Sequence, residues 1–277
     1  MESGPVAQVH QAIAAFRDGR WTAGDDTVSV EAPLEIRLET DAGEQPITVT
    51  MRTPGQDAEL AVGFLFAEGI IQDRADITAI ACGEPDAPEA NVIRVRLRPG
   101  LNPALERQAR LFVTSSSCGV CGKTTLDAAA LPAAEPAGEG PLLDATVICS
   151  FPARLRQAQA QFGMTGGIHA TGLFEPDGTL VALREDVGRH NAFDKLVGSQ
   201  LLAGALEAAS QRIAVLSGRA SYELLQKALQ ARIPVVCAIG APSSLAVAVA
   251  ERFHITLTGF TKATGFNVYT GRERVRG

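Results

Sequence analysis

The chain has 277 residues, the length of one large domain or two modest ones at roughly 150 residues per domain. Hydrophobic residues make up 46% and charged residues 20%, which excludes a wholly disordered chain; aromatic residues are only 5%, so the core must be mostly aliphatic. Lys+Arg 25 against Asp+Glu 31 leaves a net charge of −6, which argues against general binding to nucleic acid or to an acidic membrane but leaves room for a local basic pocket.

Residues 1–26 read as a loosely held leader, with a short helix over 8–17 stopped by Gly19 and Gly24. Met1-Glu2-Ser3-Gly4-Pro5 lacks the basic and apolar runs of a signal peptide. Residues 27–110 read as a small α+β domain. Strands are expected at 27–30, 34–38 and 47–51, followed by a turn at Thr53-Pro54-Gly55. A helix over 57–71 would carry Asp57 as its N-cap. Residues 92–98 alternate apolar side chains with arginines, the pattern of a strand with one solvated face. Residues 127–144, rich in Ala, Pro, Gly and Glu, read as a surface linker or the frayed end of a helix.

Residues 111–277 read as an α/β domain. Apolar runs at 213–216, 234–239 and 255–257 alternate with helical patterns at 222–231 and 244–253, as in a sheet covered on both faces. The longest uncharged stretch, 233–250, is interrupted by Pro234, Gly240 and Pro242, so it reads as strand, turn and helix rather than as a membrane span. The five cysteines do not form a secreted disulfide pattern, and the expectation is a cytoplasmic protein with free thiols.

Four stretches are candidates for chemistry. In Ser115-Ser116-Ser117-Cys118-Gly119-Val120-Cys121-Gly122-Lys123, two thiols spaced C-x-x-C sit in a Ser/Gly loop ahead of a helical pattern. A helix N-terminus and Lys123 would lower a thiol pKa and make a nucleophile. Zinc binding is weakly supported, because one C-x-x-C supplies two of four ligands, although Cys118, Cys121 and His169 could meet in space. A thioredoxin-like redox pair, a persulfide sulfur carrier and a plain buried pair stay open. Cys82, Cys149 and Cys237 are isolated and read as core or surface residues.

In Thr165-Gly166-Gly167-Ile168-His169-Ala170, two glycines before a histidine allow close backbone approach. Thr171 stands where a zinc deaminase has its glutamate, which disfavours hydrolytic deamination. The stretch 184–195 crowds charge at a loop-to-helix junction, with Arg184, Arg189 and Lys195 as anion contacts or as members of a salt-bridged loop. Ser217-Gly218-Arg219 and Gly240-Ala241-Pro242 follow expected strands, where α/β sheets bind ligands, and Arg219 would face an anion there. The segment after the third strand comes to the same edge.

Together with Met51-Arg52-Thr53-Pro54-Gly55, Glu185-Asp186-Val187-Gly188-Arg189-His190-Asn191-Ala192 and the loop Ser116-Ser117-Cys118-Gly119-Val120-Cys121-Gly122, these stretches resemble the formate dehydrogenase accessory sulfurtransferase family (FdhD/NarQ) over about residues 31–269. The resemblance implies a cytidine-deaminase-like, three-layer α/β domain with a smaller α+β domain before it. It implies transfer of sulfane sulfur from a cysteine desulfurase to the molybdenum cofactor of formate dehydrogenase, with the persulfide on Cys118 and Cys121 assisting. It further implies binding of the bis-molybdopterin guanine dinucleotide through Phe260, Thr261, Lys262, Ala263, Thr264 and Gly265. His169, Arg189 and Arg219 are expected to join them, with no permanent metal. The family allows a homodimer. Rival readings are a cofactor chaperone that moves no sulfur, and a zinc hydrolase.

Overall fold

The computed structural model describes residues 7–83, 90–101, 103 and 140–277; Cys118, Cys121 and most of the Ala/Pro-rich stretch lie outside the described residues.

The chain opens on a β-hairpin, β1 (Gln8–Arg17) and β2 (Arg20–Ser29), paired antiparallel along its whole length. This corrects the expected helix over 8–17. Asp18 and Gly19 both take positive φ (50° and 77°), the backbone of a tight turn whose twist suits two paired strands. Phe16 and Trp21 face each other at its tip with ring centroids 5.1 Å apart, and Trp21 is 71% exposed.

A four-stranded sheet follows. It is built from β3 (Ala32–Thr40), β4 (Gly43–Arg52), β5 (Ile77–Cys82) and β6 (Val92–Leu97) in the order β4-β3-β6-β5. Strict alternation puts Leu34, Ile36 and Leu38 on the buried face. The other face carries the arginines, tied down by Arg37 to Glu35 and Glu44, Arg94 to Glu44, and Arg96 to Glu39. The arginines of 92–98 therefore lie on a charge-paired outer face.

Helix α1 (Asp57–Ala67) covers the buried face through Leu60, Ala61 and Leu65. It is shorter than expected, and its N-cap is Gln56 in the left-handed region rather than Asp57. The Asp57 carboxylate is committed elsewhere: it accepts two bonds of 2.9 Å from the Arg52 guanidinium.

The second half contains β7 (Leu143–Asp144), α2 (Ala145–Ala158), α3 (Ala160–Thr165), β8 (His169–Phe174), β9 (Leu180–Asp186), α4 (Arg189–Leu202) and β10 (Ile213–Leu216). It continues with α5 (Tyr222–Gln230), β11 (Val235–Ala238), α6 (Ser244–Arg252), β12 (Thr256–Lys262), β13 (Gly265–Thr270) and β14 (Val275–Arg276). Six strands form one mixed sheet in the order β13-β12-β11-β10-β8-β9, in which β10, β11 and β12 are parallel.

The buried runs of β10 and β11 split by parity. Ala214, Leu216, Val236 and Ala238 join the core with α1, α4, α5 and α6, whereas Ile213, Val215, Val235 and Cys237 pack with Ile148, Phe151 and Leu155 of α2. Helices thus cover both faces, as the unbroken apolar runs require. Helix α4 also meets α1 backbone to backbone: a β-carbon on Gly198 would stand 1.9 Å from the Glu59 carbonyl oxygen. Among the described residues no helix is long and apolar enough to cross a membrane.

Candidate functional site

The carboxyl ends of β10, β11 and β12 meet at one edge of the sheet and are stitched together by backbone bonds. The Ser217 N–H donates to the Ala170 carbonyl (3.0 Å), Gly240 N–H to Gly218 O (2.9 Å), and Phe260 N–H to Gly240 O (3.0 Å). The Ala170 N–H donates to the Ser217 hydroxyl oxygen at 2.9 Å. Strand β8 runs antiparallel to β10, so its first residue, His169, arrives at the same edge. A β-carbon on Gly218 would stand 3.3 Å from His169 Nδ1, and one on Gly240 would stand 3.0 Å from the backbone of Gly218 and Arg219. Glycine lets these turns stack closely here.

His169, Arg189 and Arg219, expected from sequence to share a site, are brought together. Burial is the largest force lowering the His169 pKa, and the charges of Arg189, His190 and Arg219 push it the same way against Asp186. The ring is therefore held below its ordinary value of 6.5 and is a neutral imidazole at pH 7. Arg189 lies in the first turn of α4, and its Nε is buried without a hydrogen-bond partner among the described residues. Next to it, His190 Nε2 lies 3.2 Å from Ser221 Oγ and 3.7 Å from Glu223 Oε2. That histidine contact pulls the Glu223 carboxyl down to about 2.

A cleft of about 600 Å³ opens beside His169, between the strand edge and the pair α2 and α3. Arg156, Gln159, Phe162, Val187 and Ser217 line it with His169. The Arg156 guanidinium sits 3.6 Å from the centroid of the Phe162 ring. Gln159 is only 6% exposed, and its Nε2 has no partner among the described residues. A buried donor left unpaired is costly, so this wall of the cleft is suited to a ligand acceptor.

The segment from Phe260 to Gly265 spans the end of β12, a turn and the start of β13. Phe260 stands at the strand edge with φ +51° and is 46% exposed. Lys262, Ala263 and Thr264 are exposed and Gly265 is half-buried, whereas Thr261 is buried, with its hydroxyl 3.4 Å from that of Thr258.

For Arg184 and Lys195 the salt-bridged alternative holds. Arg184 makes a two-pronged ion pair with Glu59, with Nη2 to Oε1 at 2.8 Å. Lys195 is fully buried and pairs with Asp186 at 2.7 Å. The density of charge at 184–195 is thus largely internal pairing. Arg156, Gln159 and Phe162 were not anticipated. The available signal was Asp144 two residues before Thr146, an N-cap now seen to accept the Thr146 N–H at 2.7 Å, followed by Ile148, Phe151 and Leu155 at helical spacing.

The FdhD/NarQ family model matches residues 29–276. A sulfur carrier protein FdhD from Mycolicibacterium paratuberculosis is 45% identical over 262 residues, covering 93% of this chain and 94% of that protein. Its namesake from Streptomyces coelicolor is 44% identical over 95% and 94% of the two chains, and that from Saccharolobus solfataricus is 40% identical over 95% and 96%. Among solved structures, one described as a formate dehydrogenase accessory protein from Desulfotalea psychrophila superposes with a TM-score of 0.74 at 26% identity, covering 98% of this chain and all of that one.

Proposed function

The chain belongs to the FdhD/NarQ family, and we propose that it is a sulfur carrier in the maturation of formate dehydrogenase. Cys118 accepts sulfane sulfur from a cysteine desulfurase and passes it to the molybdenum cofactor, taken as bis-molybdopterin guanine dinucleotide. One observation carries the reading of the described residues: five separate stretches of the sequence are linked at one edge. Thr53 bonds to Asp186, Asp186 pairs across the ladder with His169, Ala170 bonds to Ser217, and Gly218 bonds to Gly240.

The chemistry assigns each group a task. The Cys118 thiolate attacks the outer sulfur of the donor's persulfide; one S–S bond forms, another breaks, and the donor leaves as a thiolate with no net redox change. Releasing that sulfur as sulfide takes two electrons. Cys121 supplies them with Cys118 by closing a disulfide, which an external thiol reopens. Arg189 and Arg219 would hold the pyrophosphates, as guanidinium forks suit phosphate oxygens. The neutral His169 and the Gln159 carboxamide offer hydrogen bonds without adding charge. Phe260 and the turn through Thr261, Lys262, Ala263, Thr264 and Gly265 would contact a guanine.

A cytoplasmic setting, a homodimer and a domain division near residue 110 belong to the same reading. So does a cytidine-deaminase-like arrangement, which the helices on both faces of the six-stranded sheet support.

The test is intact-protein mass spectrometry after incubation with a cysteine desulfurase and cysteine, paired with calorimetric titration of GDP. A one-sulfur increment that reductant removes and Cys118→Ala abolishes is expected, with GDP bound by both proteins. GDP binding without any sulfur increment would mean a cofactor chaperone instead.

A further inference from the structure

Beneath the cleft lies an ion pair that neither sulfur chemistry nor substrate contact uses. Asp186 and Lys195 are both fully buried, 2.7 Å apart. The Asp186 carboxylate also accepts the Thr53 N–H (3.1 Å), the Gly188 N–H (2.8 Å) and Asn191 Nδ2 (3.1 Å). Lys195 Nζ donates to the Thr53 carbonyl at 2.8 Å, and the Val187 N–H donates to the Thr53 hydroxyl at 3.1 Å. Asn191 completes the link to the four-stranded sheet, donating to Met51 O (2.8 Å) and accepting from the Thr50 hydroxyl (3.2 Å).

A fully buried ion pair is a poor stability device, because desolvation cancels much of its attraction. What this one does is geometric. Asp186 pairs directly with His169 across β8 and β9. The next residue, Val187, lines the cleft. Two residues further on, Arg189 begins α4, whose N-cap Gly188 has no side chain of its own and is held by Asp186 instead. The order of the 186–190 turn is thus set from Thr53, the residue that follows β4 of the other sheet.

We propose that Asp186, clamped by Lys195 and Thr53, is a positioning residue that fixes Arg189 and Val187 against His169 and so sets the substrate-facing rim of the cleft. The inference rests on the sulfur-carrier reading for what the rim binds, but not for the clamp itself.

The test is Thr53→Val, which removes one hydroxyl and no charge. The charged and titratable groups acting on His169 are Arg189, His190, Arg219 and Asp186. Because none is altered, a shift in the His169 ring titration, followed by NMR, reports a change in the ring's burial or in the placement of these groups. The expected result is an unchanged fold, an upward shift of His169 as Arg189 withdraws, and GDP binding weakened about threefold or more. A folded variant with His169 and GDP affinity both unchanged overturns the part of the proposal that runs through Val187, since Thr53→Val keeps the backbone bonds of residue 53 to Asp186 and Lys195. Asp186→Asn combined with Lys195→Met tests the pair itself, because it removes both buried charges together and leaves neither unpaired. A folded double variant with wild-type GDP affinity overturns the proposal, and a loss of about tenfold supports it. Absence of GDP binding in the wild type would sink the substrate reading alone, since the His169 titration would still judge the clamp.

Discussion

Gly63 of α1 and Asp194 of α4 meet without room for a methyl group: a β-carbon on Gly63 would stand 1.9 Å from the Asp194 carbonyl oxygen. Gly63→Ala must push apart the two helices that join the four-stranded sheet to the six-stranded one. A loss of roughly 3 kcal/mol is expected in thermal or urea denaturation. Gly163→Ala is the control. Gly163 lies in α3 with no heavy atom within 4 Å of its added carbon, so the change should be neutral or stabilising by about 0.5 kcal/mol.

Arg219 and Arg184 should part company. Arg219→Ala is expected to weaken GDP binding about tenfold or more while leaving the melting temperature nearly unchanged, the cost of losing a charge-assisted contact to phosphate. Arg184→Met should do the reverse. It leaves Glu59 unpaired, lowers the melting temperature by a few degrees, and leaves GDP affinity alone. Calorimetric titration and thermal melts on both variants separate the two roles.

Acid stability should fall in two windows. His169 titrates below 6.5 in the fold, so the unfolded chain binds more protons there. Its contribution is present above pH 6.5 and is lost as pH falls from 6.5 toward the lowered value. Glu223, at about 2 against 4.5 when unpaired, contributes above pH 4.5 and is lost between 4.5 and 2. Melting temperature against pH should flatten in the upper window for His169→Gln and in the lower one for Glu223→Gln. A flattening in the wrong window would refute the assignment.

Cys237 should be invisible to thiol reagents in the native protein. Burial pushes its thiol up to about 12, and it lies wholly within the core beside α2. Iodoacetamide at pH 8 should modify Cys82, which is exposed, well before Cys237. Peptide mapping of the native protein shows the order, and prior modification of Cys237 would contradict the burial.

Strands β10, β11 and β12 and helices α5 and α6 were legible because local pattern and tertiary role agree there. Ile213-Ala214-Val215-Leu216 is apolar throughout because both of its faces are covered. The hairpin was not legible as such: Val9, Ile13 and Phe16 fit a weak helical spacing, and the decisive signal was the Asp18-Gly19 pair, whose turn geometry outranks periodicity. At the site, His169, Arg189 and Arg219 were readable from glycine-flanked motifs at strand ends. Lys195 and Arg184 stayed open between anion contact and internal ion pair because a charge looks the same in sequence whether its partner is a ligand or a carboxylate far along the chain. Gln159 was silent for a related reason. Its significance is an unpaired Nε2 in a buried wall, and only packing creates that.

The hairpin tip has a spectroscopic consequence. Trp21 is the sole tryptophan, and its indole already stands mostly in water in the native state. Its emission should therefore be red-shifted before any denaturant is added, and should change little when the aliphatic core melts. Equilibrium unfolding of this protein needs far-ultraviolet circular dichroism, which follows the helices and sheets. The fluorescence channel is left to report a different event: a blue shift on adding another protein would mark contact at the hairpin end, against a nearly silent background.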